Sequence, residues 1–115
     1  MEKVLNKLSK NDLEAARSVK VGAKRTLGSN FQVIFAYGSR AEGTAKIDSD
    51  LDIFILTKIK PRLYSKESEE IDKIAINILN TYGVYPSIVV YGQKEYEKLE
   101  NTPYLYWLKK TGVSL

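Results

Sequence analysis

The chain contains no cysteine and no histidine. The first absence excludes disulfides and thiolate nucleophiles, and the second excludes Ser-His relays; together they remove the usual sulfur and nitrogen ligands of zinc and iron. A metal held here must be held by oxygen, which favours Mg²⁺, Mn²⁺ or Ca²⁺. No stretch of about 18 consecutive apolar residues is present to cross a membrane. The opening segment MEKVLNKLSKND lacks the apolar run and small-residue cleavage site of a signal peptide. These absences predict a cytoplasmic protein without a membrane partner. There is also no internal repeat, low-complexity tract or linker, so residues 1–115 are expected to form a single domain with one modest core.

What is present is ordinary for a globular chain, with 43% hydrophobic and 28% charged residues. The formal charge of +4 is compatible with a nucleotide, RNA or an acidic protein surface, and does not choose among them. Lysines scatter from Lys3 to Lys110 without one long basic block, which reads as a solvated surface.

The pattern of apolar residues predicts a mixed order of elements. Ser9 precedes a helical face of Leu13, Ala16, Ala23 and Leu27, with Gly28 as its stop, giving a helix over 10–27. FQVIFAY (31–37) and LDIFILT (51–57) read as buried strands separated by a turn, a short helical piece and a loop. Pro61 is placed as the first residue of a long amphipathic helix through Ile71, Ile74, Ala75, Ile78 and Tyr82, ending at Gly83. A third strand is expected over 84–91, where Pro86 argues for a sheet edge or a strand start, followed by short helices near 93–100 and 103–111. Such an order does not suit a simple βαβ series. The expected fold is α+β, a small mixed sheet covered by helices.

The segment GSRAEGTAKIDSDLDIFIL carries the chemistry. Gly38 and Ser39 close one strand, and Asp50 and Asp52 open the next, so the two aspartates project from one face while Leu51 and Ile53 point into the core. Two carboxylates so placed can share hard cations together with substrate phosphates, an arrangement suited to in-line phosphoryl transfer. Gly38 permits close backbone approach, and Ser39 offers a hydroxyl and an N–H to phosphate. Arg40 could contact phosphate, steer an anion, or be surface charge. Lys46 reads as solvated loop.

This spacing resembles the signature of the polymerase-beta-like nucleotidyltransferase superfamily: Gly38-Ser39, ten residues, then Asp50-Leu51-Asp52, with an Arg-x-x-Gly element at Arg40 to Gly43. The chain is similar to the minimal nucleotidyltransferases found beside HEPN-domain proteins in toxin–antitoxin pairs. The resemblance implies a Mg²⁺-dependent enzyme, with Mn²⁺ as a substitute, that transfers AMP from ATP to a tyrosine of the HEPN partner. It implies metal binding and catalysis at Asp50 and Asp52, and nucleotide binding at Gly38, Ser39 and Arg40. Direct nucleic-acid binding is not expected, since no RNA-binding module is recognisable.

One departure from that pattern stands out. A third carboxylate is usual on a later strand of such domains, and the matching position here is Ser87, with no Asp or Glu between Asp72 and Glu95. A serine hydroxyl is too weak an acid to act as a general base near pH 7. Two readings therefore stand, a transferase and a non-catalytic nucleotide- or partner-binding antitoxin module. Glu95, another subunit or the acceptor protein could supply the missing carboxylate. Tyr104, Tyr106 and Trp107 either form a base-stacking platform or partner surface, or cover the core. Lys109 and Lys110 suit the end of the last helix, and the expected edge strand leaves a homodimer open.

Overall fold

The structure is a computed structural model that describes residues 7–115. The opening residues 1–6, which include Lys3 and half of the segment read for a signal peptide, lie outside the described residues. Helix α1 spans Lys10–Leu27, started by Ser9, whose Oγ accepts the N–H of Asp12, and ended at Gly28. After a single 3-10 turn, β1 runs Phe31–Tyr37, then α2 Gly38–Glu42, β2 Leu51–Thr57, α3 Lys66–Tyr82, β3 Pro86–Gly92, α4 Gln93–Glu97, α5 Pro103–Thr111 and β4 Val113–Ser114.

The four strands form one sheet in the order β3-β2-β1-β4. Neighbours β1 and β2 are antiparallel, as are β1 and β4, whereas β2 and β3 are parallel. The expected mixed sheet with helices is therefore the observed one. Strand alternation divides its two faces. On one face, Ile34, Ala36, Leu51, Ile53 and Ile55 are buried beneath α1 and α3, which contribute Ala16, Val19, Ala23, Ile71 and Ile78. On the other face, Phe54 and Tyr37 pack against Leu105 and Leu108 of α5, with Tyr96 and Leu99 alongside. Each of the larger aliphatic side chains contributes about 1.5–3 kcal/mol by leaving water.

Three elements are bounded differently from the sequence reading, and one is additional. Pro61 does not start the long helix, which begins at Lys66 under the Ser65 cap, where Ser65 Oγ accepts the N–H of Ser68. Between the two, Tyr64 takes a positive φ of 66°, which interrupts any helical path. The third strand occupies Pro86–Gly92 rather than 84–91; it is a sheet edge, and Pro86 is its first residue, where a missing N–H does least harm. Helix α4 closes at Glu97 instead of continuing to 100. Strand β4 was not foreseen, being two residues long and defined only by its pairing with Phe35 and Ala36.

Candidate active site

The register of the sheet builds the site. Tyr37 of β1 lies opposite Asp52 of β2, and Asp52 lies beside Ser87 of β3, so the three form one row on the face away from α1 and α3. Phe35, Phe54 and Val89 form the next row behind them. The apolar second row fixes the strand faces; a slip of one residue would bury Asp52 under α1.

Chain direction reverses at Gly38, where φ is 79°, a conformation that side chains beyond glycine rarely accept. The space a Cβ would need is taken by the carboxylate of Asp52, with Oδ2 in direct conflict. Glycine is thus required twice, for its backbone angle and for the approach of Asp52. The Gly38 N–H donates to Thr111 Oγ1 at 3.1 Å, and the Thr111 hydroxyl donates to the Trp107 carbonyl at 2.9 Å. This latches the end of α5 to the turn. Ser39 follows in the first turn of α2, and its hydroxyl has no hydrogen-bond partner among the described residues.

Asp50 is exposed, just before β2, and Asp52 is half-buried. Neither side chain has a hydrogen bond or an ion pair among the described residues. Burial, and then the neighbouring charge of Asp50, push the Asp52 carboxyl above the ordinary carboxylate range. Two unpartnered carboxylates that repel one another, with only oxygen donors nearby, fit a hard divalent cation. The donor set stops at two, since among the described residues no group of three or more acidic side chains comes together. Ser87 fills the place beside Asp52 on β3, as the sequence suggested.

Arg40 is committed within the fold. Its Nη1 donates to both carboxylate oxygens of Asp12, at 3.3 and 3.1 Å, its Nε to the Ser49 carbonyl at 2.8 Å, and its Nη2 to the Ile47 carbonyl at 3.1 Å. The pair is largely buried, with side-chain exposures of 15% and 6%. One guanidinium therefore ties the first turn of α1 to the loop that delivers Asp50. Contact with a phosphate would require it to leave these partners. Lys46 is exposed in the same loop, where its backbone N–H donates to Ser49 Oγ and its carbonyl accepts the Ser49 N–H.

An aromatic wall flanks Asp52. Tyr37 shares a 3.0 Å hydrogen bond with the Tyr104 hydroxyl and meets the Trp107 ring edge-on at 5.4 Å. Burial, then the bond to Tyr104, raises the Tyr37 phenol far above its ordinary value, with Asp52 adding to the shift. Tyr104 is raised as well, by burial first. Both phenols stay neutral at physiological pH. Tyr104 covers the second core, while Trp107 and Tyr106 remain exposed at 39% and 69%.

Of the residues singled out from sequence, Gly38, Ser39 and Asp52 converge at the strand ends, Asp50 adjoins them, and Arg40 stands behind the loop. Asp12, Thr111 and Tyr37 were missed. The spacing Ser9-x-x-Asp12 matches a capping box and could have marked Asp12 as a helix-start residue, though not as the partner of Arg40. No local signal connects Thr111 to Gly38.

Comparison with known proteins agrees with this architecture. Among curated proteins none matches the chain. Solved structures share its fold at low identity. A chain of a mutant MntA–HpeT toxin–antitoxin aligns with a TM-score of 0.56 and 15% identity, over 83% of this chain and 68% of that one. A toxin–antitoxin bound to AMP-PNP aligns with a TM-score of 0.54 and 16% identity, over 84% and 68%. A complex of tri-AMPylated Shewanella oneidensis HEPN toxin with MNT antitoxin aligns with a TM-score of 0.56 and 13% identity, over 90% and 70%. A family model described as a nucleotidyltransferase domain matches residues 23–110, which include the Gly38 turn, both aspartates and Ser87. The chain belongs to the nucleotidyltransferase domain family.

Proposed function

We propose that this domain binds ATP with Mg²⁺, or Mn²⁺ in its place, and transfers AMP to a tyrosine hydroxyl of a HEPN-type partner, as the antitoxin of a toxin–antitoxin pair. The observation that carries the reading is the placement of Asp50 and Asp52, both unpartnered among the described residues, against the Gly38-Ser39 turn. Relatives of the same fold support it, since one was solved with AMP-PNP and another contains a tri-AMPylated HEPN toxin. The reading takes residues 1–115 as one domain working in the cytoplasm.

Asp50 and Asp52 would hold the cation. When bound, it neutralises phosphate charge and stabilises the departing oxygen. Gly38 lets the nucleotide's phosphates approach the backbone, and the Ser39 hydroxyl donates to them. Arg40 keeps the Asp50 loop in place through Asp12, Ser49 and Ile47. In the transfer, the acceptor oxygen bonds to the α-phosphorus, the bond from that phosphorus to the bridging oxygen breaks, and pyrophosphate leaves. The acceptor proton must go elsewhere than Ser87. A tyrosine acceptor suits such a site, because a phenol of pKa about 10 gives up its proton far more readily than an alkyl alcohol does. Water or a base on the partner can then receive it.

Incubation with α-phosphate-labelled ATP, Mg²⁺ and the product of the neighbouring gene should label that product. Absence of label, while an active relative labels its own partner in parallel, would sink the reading. The direct neighbour relation of Asp52 and Ser87 favours one alternative, a module that grips nucleotide and partner without transfer. Inhibition of the partner that persists in a folded Asp50→Asn/Asp52→Asn protein would select the alternative.

A further inference from the structure

Strand β3 is one edge of the sheet, and among the described residues no strand pairs with its open side. It pairs with β2 without interruption from Leu51↔Pro86 to Thr57↔Gly92. The bond from the Leu51 N–H to the Tyr85 carbonyl sets the phase of this parallel ladder. Odd-numbered residues of β3 therefore face β2, and Ile88 and Val90 turn their N–H and C=O groups outward. Natural edges are commonly protected by a charge, a bulge, an internal proline or short length. This one has seven residues, PSIVVYG, with no charge and its only proline at the first position.

Beside the edge lies a cavity of about 460 Å³, walled by Lys60, Pro61 and Leu63 of the β2–α3 loop, by Ile71 of α3, and by Ile88 and Val90 of the strand itself. The loop is unusual in three ways. Ile59, Leu63 and Tyr64 are exposed at 76%, 77% and 83%. Tyr64 holds a positive φ of 66°. The sequence KIKPRLYSK, 58–66, has four cations and no acid, and Lys58, Lys60, Arg62 and Lys66 are all exposed. Asp72 is the one carboxylate on the cavity wall.

We propose that the β3 edge, with the 58–66 loop as its flap, is a docking groove for an extended acidic segment of a protein partner, which adds to the sheet as a fifth strand. The outward amides of Ile88 and Val90 supply the backbone pairing, Leu63 and the cavity take alternate apolar side chains, and Lys60 and Arg62 meet the carboxylates between them. Charge selects the occupant. A second copy of this chain, at +4 and bringing its own 58–66 loop, would be repelled, whereas an acidic strand is attracted. A nucleic acid would use the cations but leave the strand edge unpaired.

The test is fluorescence anisotropy with labelled peptides of alternating Asp and Val, and with Ser/Val and Lys/Val analogues. The acidic peptide should bind, the neutral one about tenfold more weakly, and the basic one not at all. Val90→Pro removes an outward donor without taking a bond from β2, so it should abolish binding while the thermal transition persists. Should that variant fail to fold, Lys60→Glu/Arg62→Glu, on exposed side chains, should weaken the acidic peptide by about tenfold or more. Equal binding of acidic and neutral peptides, or undiminished binding by either variant, overturns the proposal. So does binding of poly(U) RNA tighter than that of the acidic peptide and unchanged by Val90→Pro, or a dimer in sedimentation velocity that Val90→Pro dissociates.

Discussion

Gly38 leaves vacant the space that the carboxylate of Asp52 occupies, so the turn that ends β1 and the acid that opens β2 are one construction. Gly38→Ala faces both the positive φ and the conflict with Oδ2. It should destabilise the fold by about 1–3 kcal/mol in denaturant titration, the scale of a strained left-handed residue. The accompanying displacement of Asp52 should also remove the ATP- and Mg²⁺-dependent rise in Tm. Alanine at Gly83, another left-handed position but with nothing within 4 Å of its Cβ, controls for backbone strain, because it should cost stability and keep the nucleotide response.

Asp52 works against the cation-free fold. Its carboxyl is pushed up by burial and by Asp50, so folding disfavours the ionised form. Below the ordinary carboxylate range both folded and unfolded chains are protonated and no penalty exists. As pH rises through that range toward the raised folded value, the unfolded chain ionises first and stability falls; above it the penalty is complete. In EDTA near pH 7, Asp52→Asn should therefore raise Tm by about 2–5 °C. The gain should shrink as pH falls below the raised value and vanish only below the ordinary carboxylate range. A lower Tm for the variant in EDTA would contradict this account.

How far the site was legible from sequence depends on the range of each interaction. The strands 31–37 and 51–57 and the helix 10–27 were readable to the residue, because the apolar patterns lie within the elements and the stops at Gly28 and Gly38 directly follow them. The placement of Asp50 and Asp52 at the start of β2 was readable for the same reason. Pro61 misled because a helix-start residue also suits a loop, and the stronger signal was the Ser65 hydroxyl over Ser68. The short β4, the Thr111–Gly38 latch and the Asp12–Arg40 pair all join residues at least 28 positions apart, and no periodicity encodes such contacts.

The Asp12–Arg40 pair should behave as a buried unit. Arg40→Ala leaves Asp12 as an uncompensated buried charge and frees the Ser49 and Ile47 carbonyls, at a cost of about 3–5 kcal/mol. Asp12→Asn/Arg40→Ala should recover part of this loss in a double-mutant cycle. Lysine cannot reproduce the three-way fork, so Arg40→Lys should fold yet require more Mg²⁺ for half-maximal nucleotide stabilisation. An unchanged Mg²⁺ requirement would separate Arg40 from the Asp50 loop's function.

Ser87 supplies the most direct test of what the site lacks. It neighbours Asp52 in register and is partly exposed, so Ser87→Asp would place a third carboxylate on the same row of the sheet. Three acids without a cation repel more than two, and the variant's Tm in EDTA should fall below that of the parent chain. Saturating Mg²⁺ and ATP should reverse the order. If proton removal limits AMP transfer, the new carboxylate acts as general base and raises the rate by about tenfold or more, toward the usual contribution of 10²–10⁴. The gain should be larger for a serine or threonine placed at the acceptor site than for tyrosine, whose phenol needs the base least. A uniform gain across acceptors would locate the effect in cation binding instead, and a Mg²⁺ titration of the two proteins would show it as a shift in midpoint.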